Sequence, residues 1–128
     1  MSKESIEQVL NDYFANLSTM NPDGWRKNFA EDAVVYDPVG SPPSYARDDA
    51  NKFFGFLSQY YNSLEVAPLE IYIAGNAAAV KWRMEVSAKN GKTAQAEGIS
   101  VFEFNDAVKI QKISAYWDDK ALVAQLRG

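Results

Sequence analysis

A carboxylate in an apolar stretch is the first candidate for chemistry in this sequence. Asp37 follows the run Val34-Val35-Tyr36 and begins a proline-rich loop, and no Lys or Arg stands within several positions of it. If the carboxylate faces an apolar pocket, desolvation raises its pKa and makes it a stronger base. An Asp before a proline also forms Asx-type turns. The spacing alone leaves both interpretations open.

Three aromatic residues are the next candidates. Tyr13 lies on the apolar face of a predicted helix, where it either packs in the core or directs its phenol into a cavity as a donor to developing negative charge. Trp82 and Trp117 are either core aromatics or the walls of a cavity for a flat, apolar ligand. Hydrophobic periodicity does not separate these interpretations.

The composition excludes several kinds of active site. The 128 residues contain no His and no Cys, which excludes a Ser-His-Asp triad, an imidazole base, a thiol nucleophile and any His or Cys metal ligand. Acid–base chemistry therefore falls to Asp, Glu, Tyr or Lys. A carboxylate site for a hard cation stays open as an alternative, but no Asp/Asn/Gly loop of calcium-binding spacing occurs.

Charge and hydropathy indicate the environment of the protein. The formal net charge of −4 argues against nucleic-acid binding, which requires a basic surface. The amino terminus MSKESIEQ lacks the apolar core of a signal peptide. No uninterrupted apolar run approaches the ~18 residues of a transmembrane helix. We therefore expect a single domain over residues 1–128, located in the cytoplasm and not bound to membranes.

Helical elements precede the rest of the chain. Apolar side chains at i, i+3, i+4 and i+7 spacing predict a first helix over Lys3–Ser18, capped by Ser2 or Ser5. The run Asn21-Pro22-Asp23 is typical of a cap followed by the first turn of a short helix. A third helix is predicted to begin near Asp48.

Strands fill the second half of the chain, before a short helix that Asp118 caps and that ends near Leu126. Pro68 marks an edge strand or a bulge. Helices followed by a bent antiparallel sheet predict an α+β fold, with the helices on one face and a pocket between the two layers. The strands predicted in this half are Leu64–Tyr72, Ala77–Ala88, Thr93–Phe104 and Val108–Trp117, and a brief strand over Ala33–Tyr36 is predicted before the third helix.

The turn at Asn90-Gly91 determines how the two central strands pair. A two-residue turn sets Met84 opposite Glu97, whereas a three-residue loop sets Arg83 opposite Glu97, which is an attractive pair. We predict the three-residue loop. It places bulky residues of one strand and small residues of its neighbour on a single face, leaving room above the small ones. That face includes Trp82, Met84 and Ser100.

The segment around Asp37 resembles a known catalytic segment. Residues 29–43, FAEDAVVYDPVGSPP, are similar to the catalytic-base segment of the ketosteroid isomerases. Tyr13 falls at the separation from Asp37 that this family uses for its oxyanion-hole tyrosine, and Ile110–Trp117 resembles its closing strand. The similarity covers nearly the whole chain. It implies the cone-shaped nuclear transport factor 2-like, or SnoaL-like, fold, in which three N-terminal helices pack on a curved antiparallel sheet, and it implies a homodimer.

Proton transfer without a cofactor or metal is the chemistry that this resemblance implies. Asp37 would remove a proton from the carbon beside a ketone, and Tyr13 would stabilise the dienolate oxygen. Ser100 stands where the isomerases keep a protonated Asp, and a serine is a weaker donor. Phe29 and Phe54 stand where some members have tyrosines that hydrogen-bond the oxyanion tyrosine. Contacts with the substrate are expected from Phe54, Trp82, Met84 and Trp117.

Three functions are compatible with this fold. The first is an isomerase acting on a steroid or another fused-ring ketone. The second is a related enzyme, such as a cyclase or a dehydratase, acting on another apolar substrate. The third is a binding module without catalysis. In each case the expected partner is an apolar small molecule. Ser100 distinguishes the first function from the other two, because a dedicated 3-ketosteroid isomerase is expected to keep an acid at that position.

Overall fold

The order of elements in the structure matches the predicted order of helices and then sheet. The computed structural model describes residues 1–127. The α+β fold with helices packed on a curved sheet is confirmed. The elements are α1 (Lys3–Ser18), α2 (Pro22–Arg26), β1 (Phe29–Tyr36), β2 (Ser44–Tyr45), α3 (Ala46–Tyr60), β3 (Tyr61–Ala74), β4 (Ala77–Ala88), β5 (Thr93–Phe104), β6 (Ile110–Tyr116) and α4 (Asp119–Leu126).

Side-chain caps begin three of the helices. Ser2, Asn21 and Asp118 each accept a hydrogen bond from a backbone N–H three residues further along the chain, which satisfies a donor that the helix itself leaves free. The α3 helix begins at Ala46 rather than near Asp48. In the described part of the chain, no helix is long and apolar enough to cross a membrane.

Sheet order is β2-β1-β6-β5-β4-β3, and it corrects one detail of the antiparallel prediction, because β1 runs parallel to β6. The chain leaves β1 through α3 and re-enters the sheet at the far edge with β3. Successive antiparallel pairings then bring β6 back beside β1. Each hairpin reverses the strand direction, so the number of hairpins from β3 to β6 sets the direction of β6. Pro68 lies in the edge strand β3 at a register irregularity, as predicted.

Register between β4 and β5 agrees with the three-residue loop. Trp82 pairs with Gly98 and Arg83 pairs with Glu97. Gly91 has φ of 87°, in the left-handed region that a glycine adopts without steric cost. The side chains of Trp82 and Ser100 therefore lie on the same face of the sheet, the one that the helices cover.

The core lies between this face and the helices. Its largest fully buried side chains come from both layers, and one contiguous cluster contains all of them. Towards one end of the layers the packing leaves space, and that space is the cavity described next. The largest fully buried side chains are Phe29, Phe102, Phe104, Ile6, Leu10, Ile110, Ile113 and Val80.

Candidate functional site

A cavity of about 350 Å³ opens between α1, α3, α4 and the concave face of the sheet. We call it the main cavity. Its volume is within the range of small-molecule sites, ~300 to 1,000 Å³, and its walls are mostly apolar with a few polar groups, as such sites usually are. The lining residues that carry polar side-chain atoms are Tyr13, Asp37, Tyr61, Trp82, Ser100, Trp117 and Asp119.

Most of the site residues proposed from the sequence meet in the main cavity. They are Tyr13, Asp37, Ser100, Trp82, Met84 and Trp117. Phe54 is the exception, since it is 4% exposed and packs edge-on against Trp25 in the core. Its neighbour Phe53 lines the cavity instead. One residue along an α-helix turns the side chain by about 100°, and the apolar spacing did not resolve which phenylalanine faced the space.

Asp37 is held at the end of β1 by an indole from the end of β6. Tyr36 pairs with Ser114 in the parallel ladder, which brings the residues after both strands together. Trp117 Nε1 donates a hydrogen bond of 2.6 Å to Asp37 Oδ1. Asp37 is an exposed residue at the edge of the cavity, but protein atoms crowd its carboxyl group.

Burial of this carboxyl group raises the pKa of Asp37 above its ordinary value. The hydrogen bond from Trp117 acts in the opposite direction, and the nearby charge of Asp119 raises the pKa further. Desolvation is the largest of the three effects, because it disfavours the charged form. The ionised carboxylate is consequently a stronger base than an aspartate in water.

Tyr13 supplies a phenol on the opposite wall, where α1 faces the sheet. Its ring makes edge contacts with Phe14 and Phe102, at centroid distances of 5.0 and 5.1 Å. Burial raises the pKa of this phenol, the charge of Asp37 raises it further, and the indole N–H of Trp25 lowers it. Tyr13 therefore stays protonated at neutral pH and can donate a hydrogen bond.

Ser100 is buried beside a second indole. Trp82 Nε1 donates a hydrogen bond of 2.9 Å to Ser100 Oγ, and both residues are 6% exposed. The serine oxygen accepts this bond, which leaves its own O–H free to donate. The rings of Trp82 and Trp117 meet edge to face at 5.5 Å. Two contacting indoles thus hold the serine and the aspartate.

Gly98 makes the close packing of these indoles feasible. A Cβ atom there would lie 2.6 Å from the Trp82 ring, 2.7 Å from Trp117 Cβ and 2.9 Å from the Tyr116 carbonyl oxygen. The room predicted above the small residues of β5 is consequently filled in part by the two tryptophans. Gly98 allows this packing because it has no side chain.

A smaller cavity of about 180 Å³ adjoins the main one beneath the proline-rich loop. We call it the side cavity. Tyr13, Asp37 and Phe53 line both cavities, so the proposed base and donor stand at the junction. The side cavity is further lined by Trp25, Val35, Pro42, Ser44, Ala46 and Asp49.

Both cavities carry negative charge. The ionisable acids in their linings are Asp37 and Asp119 in the main cavity and Asp37 and Asp49 in the side cavity, and over residues 1–127 no Lys or Arg lines either one. In that same stretch, no group of three or more acidic residues is placed to hold a metal ion. The lining thus offers carboxylates as bases, and hydroxyl and indole groups as hydrogen-bond donors.

Sequence reasoning missed the contributions of Trp25, Phe53 and α4. Leu122 and Val123 of α4 line the main cavity, and the Asp118 cap that predicted this helix carried no information on where it packs. The run Asn21-Pro22-Asp23 predicted the short helix that carries Trp25, but not where this side chain packs. Its neighbours in space come from α1, β1 and α3, and a local pattern does not reveal such contacts.

The family of the chain is clear from comparison with family models. The model of the SnoaL-like domain matches residues 10–113. The chain belongs to the SnoaL-like domain family. The match includes Tyr13, Asp37 and Ser100, whereas Trp117 lies beyond its end.

Solved structures of other proteins agree with this chain in fold. An NTF2-like protein of unknown function from Burkholderia pseudomallei K96243 is 16% identical with a TM-score of 0.86, and the match covers 100% of both chains. A putative polyketide cyclase from Xanthomonas campestris pv. campestris is 14% identical with a TM-score of 0.85 over 98% of both chains. The epoxide hydrolase/cyclase-like enzyme SalBIII, of pyran ring formation in salinomycin, is 18% identical with a TM-score of 0.81, covering 93% of this chain and 95% of that one. At these identities the likeness concerns the fold alone.

Proposed function

We propose that this SnoaL-like protein binds a neutral, flat carbonyl compound in the main cavity and moves a proton beside the carbonyl group. Asp37 is the base and Tyr13 is the hydrogen-bond donor to the carbonyl oxygen. The observation that carries this proposal is the position of these two residues on one apolar cavity, where burial raises the pKa of both groups.

The reaction needs only groups that the chain possesses. Asp37 Oδ2, which Trp117 leaves free, removes a proton from the carbon beside the carbonyl. The electron pair of that C–H bond moves onto the carbonyl oxygen as an enolate forms, and the Tyr13 hydroxyl stabilises the negative charge through a hydrogen bond. Asp37 then returns the proton to another carbon, so the product is an isomer of the substrate and no co-reactant is consumed.

Ser100 is proposed as the second donor to the same oxygen. Its O–H is free because the serine oxygen accepts from Trp82. A hydroxyl is a weaker acid than the protonated carboxyl group expected from the isomerase resemblance. Removing an oxyanion donor typically costs ~2.7 to 4 kcal/mol of transition-state stabilisation. We therefore expect slower turnover of a 3-ketosteroid than a dedicated isomerase would give.

The charges of the lining favour an uncharged ligand. A carboxylate substrate would be repelled by Asp37 and Asp119, and it would find no cation in the described part of the lining. The indoles of Trp82 and Trp117 provide flat apolar walls. A fused-ring ketone of steroid type fits these requirements, and it is the substrate class that we propose.

A cyclase-like enzyme is the second candidate. The side cavity favours it, because it gives a hydroxyl group of a longer substrate a place beside Asp37. Asp37 takes the hydroxyl proton as the oxygen attacks a carbonyl carbon held in the main cavity, and the π electron pair of that carbonyl moves onto its oxygen, where Tyr13 stabilises the charge. The names of two structural neighbours, a putative polyketide cyclase and an epoxide hydrolase/cyclase-like enzyme, agree with this candidate.

We also propose a homodimer that forms through the outer face of the sheet. Ile99 and Tyr116 pair across β5 and β6 and are 48% and 54% exposed there. Their outward apolar surface would be covered by a second copy. Sedimentation velocity of the wild-type protein and of Ile99→Lys tests this proposal: a dimer that becomes a monomer supports it, and a wild-type monomer contradicts it.

Binding and turnover can be tested together. Equilenin fluorescence reports occupancy of the cavity, and dienone absorbance reports turnover of 5-androstene-3,17-dione. Asp37→Asn is expected to keep binding but to lose a factor of ~10² to 10⁴ in rate, the usual contribution of a general base.

Asp32→Asn on β1 is the matched control, since Asp32 is exposed and contacts Gln111 outside the cavity lining. Binding without turnover in the wild-type protein favours a binding module, and equal rates for Asp37→Asn and wild type contradict the proposed base.

A further inference from the structure

The indole nitrogen of Trp25 is buried without a partner. Trp25 is 4% exposed, and in the described chain its Nε1 is the one buried side-chain nitrogen or oxygen that makes no hydrogen bond. Buried polar groups are almost always hydrogen-bonded, and an exception calls for an explanation. Trp25 lines the side cavity, but its Nε1 atom is itself buried.

Tyr13 carries the oxygen that this N–H can serve. The two rings lie 6.1 Å apart and are tilted by 38°. The other aromatic rings packed on Trp25 are those of Phe29, Phe53 and Phe54, which have no acceptor atom. The Trp25 N–H also lowers the pKa of Tyr13, which is the effect of a donor close to the phenol oxygen.

We infer that Trp25 is a positioning residue, whose indole N–H donates a hydrogen bond to the Tyr13 hydroxyl oxygen when that hydroxyl donates to a ligand oxygen. The inference rests on the role of Tyr13 in the proposed function. A phenol oxygen accepts one hydrogen bond while its proton donates another. Donation to an enolate makes the phenol oxygen more negative and a better acceptor, and hydrogen bonds in such a chain strengthen one another. No proton is transferred in this step.

The placement of α2 suits this role. Asn21 caps the helix through the backbone N–H of Gly24. Arg26 donates to the Arg47 carbonyl oxygen at 3.2 Å and to Asn51 Oδ1 at 3.1 Å, which ties α2 to α3. The indole of Trp25 is therefore held against α1.

The first test observes the indole proton directly and requires no change at Trp25. In ¹H–¹⁵N spectra the three tryptophans give three indole signals. Addition of 2-naphthol, a flat two-ring phenol, is expected to move the Trp25 signal downfield and to slow its exchange with solvent. In Tyr13→Phe this response to 2-naphthol should disappear, because the acceptor oxygen is gone. A Trp25 signal that 2-naphthol leaves unmoved in the wild type, or moves equally in Tyr13→Phe, would overturn the inference.

The second test is a double-mutant cycle on the affinity for 2-naphthol. Trp25→Phe should weaken binding roughly tenfold in the wild-type background, a fold-change typical of one hydrogen bond. In the Tyr13→Phe background it should weaken binding less than about twofold, because the coupling is lost. Phe54→Leu is the control for packing around Trp25, and it is expected to act equally in both backgrounds.

The outcomes separate the two proposals. If Tyr13→Phe leaves the affinity for 2-naphthol unchanged, the proposed function loses its donor, and the inference, which rests on that donor, is overturned with it. If Tyr13→Phe weakens binding while Trp25→Phe acts equally in both backgrounds, Trp25 is only a packing residue and the inference is overturned. Coupling between the two residues together with the indole response supports it.

Discussion

Trp117 Nε1 and Asp37 Oδ1 are joined by a hydrogen bond of 2.6 Å. This bond connects the end of β6 to the residue that follows β1, and the parallel pairing of Tyr36 with Ser114 makes it feasible. It fixes one carboxylate oxygen and leaves the other free towards the cavity. Burial nevertheless outweighs the bond, since the pKa of Asp37 is raised overall. The arrangement gives a base that is both oriented and strengthened by desolvation.

Trp117→Phe tests this orientation. The variant removes a donor to the ionised carboxylate, which is expected to raise the pKa of Asp37 further and to move the rising limb of the pH–rate profile to higher pH. Carboxyl ¹³C shifts through a pH titration give the same quantity without a substrate. Trp82→Phe is the control, because it removes the bond to Ser100 and not the bond to Asp37. Identical titration curves for Asp37 in wild type and Trp117→Phe would argue against this role of the indole.

Asp37→Asn is expected to increase thermal stability at neutral pH. The folded-state pKa of Asp37 lies above its ordinary value of 3.8, so the folded protein disfavours the ionised form. The resulting loss of stability is absent below about pH 3.8, develops as the pH rises through the folded-state pKa, and is constant above it. The gain from the Asn substitution should follow the same course in melting temperatures measured against pH. Asp32→Asn is expected to show no such course, and a lower melting temperature for Asp37→Asn at neutral pH would contradict the desolvation argument.

Ser100→Asp tests the second donor. A carboxyl group at this buried position is expected to stay protonated, to accept from Trp82 through one oxygen and to donate through the other. Turnover of 5-androstene-3,17-dione should rise by roughly tenfold if ~1.4 kcal/mol of transition-state stabilisation is gained. Ser100→Ala, which leaves the Trp82 N–H unpaired, should instead lower the free energy of unfolding by ~1 to 3 kcal/mol. Equal or lower turnover in a folded Ser100→Asp protein would count against the isomerase reaction.

Gly98→Ala should disturb both indoles at once. The added methyl group would lie within 3 Å of Trp82, of Trp117 Cβ and of the Tyr116 backbone, and overpacking of this kind typically costs ~1 to 3 kcal/mol. Urea denaturation measures the loss. Gly55→Ala is the matched control, since its methyl group meets no atom within 4 Å on an exposed helix position and should stabilise α3 by up to ~1 kcal/mol. A Gly98→Ala protein as stable as wild type would show that the indoles move freely.

Local patterns predicted the helices and strands well. They also predicted those site residues whose positions depend on a single strand or a single helix. The first helix, the last helix and the β4–β5 register agree because caps, periodicity and turn length are local signals. The parallel β1–β6 pair did not follow from the sequence, since strands far apart in the chain carry no mark of their partner. Phe53 and Trp25 were missed because helix phase and contacts between elements are decided by packing.

Proton exchange at carbon measures the central claim most directly. In D₂O the wild-type protein is expected to replace the hydrogens beside the carbonyl of 2-tetralone or 5-androstene-3,17-dione with deuterium, as followed by ¹H NMR. Asp37→Asn should reduce this exchange by a factor of at least ~10², and Tyr13→Phe by ~10² to 10³, while both variants keep the fold. Exchange that is no faster than in buffer, or that is as fast in Asp37→Asn as in wild type, would contradict the assignment of Asp37 as the base.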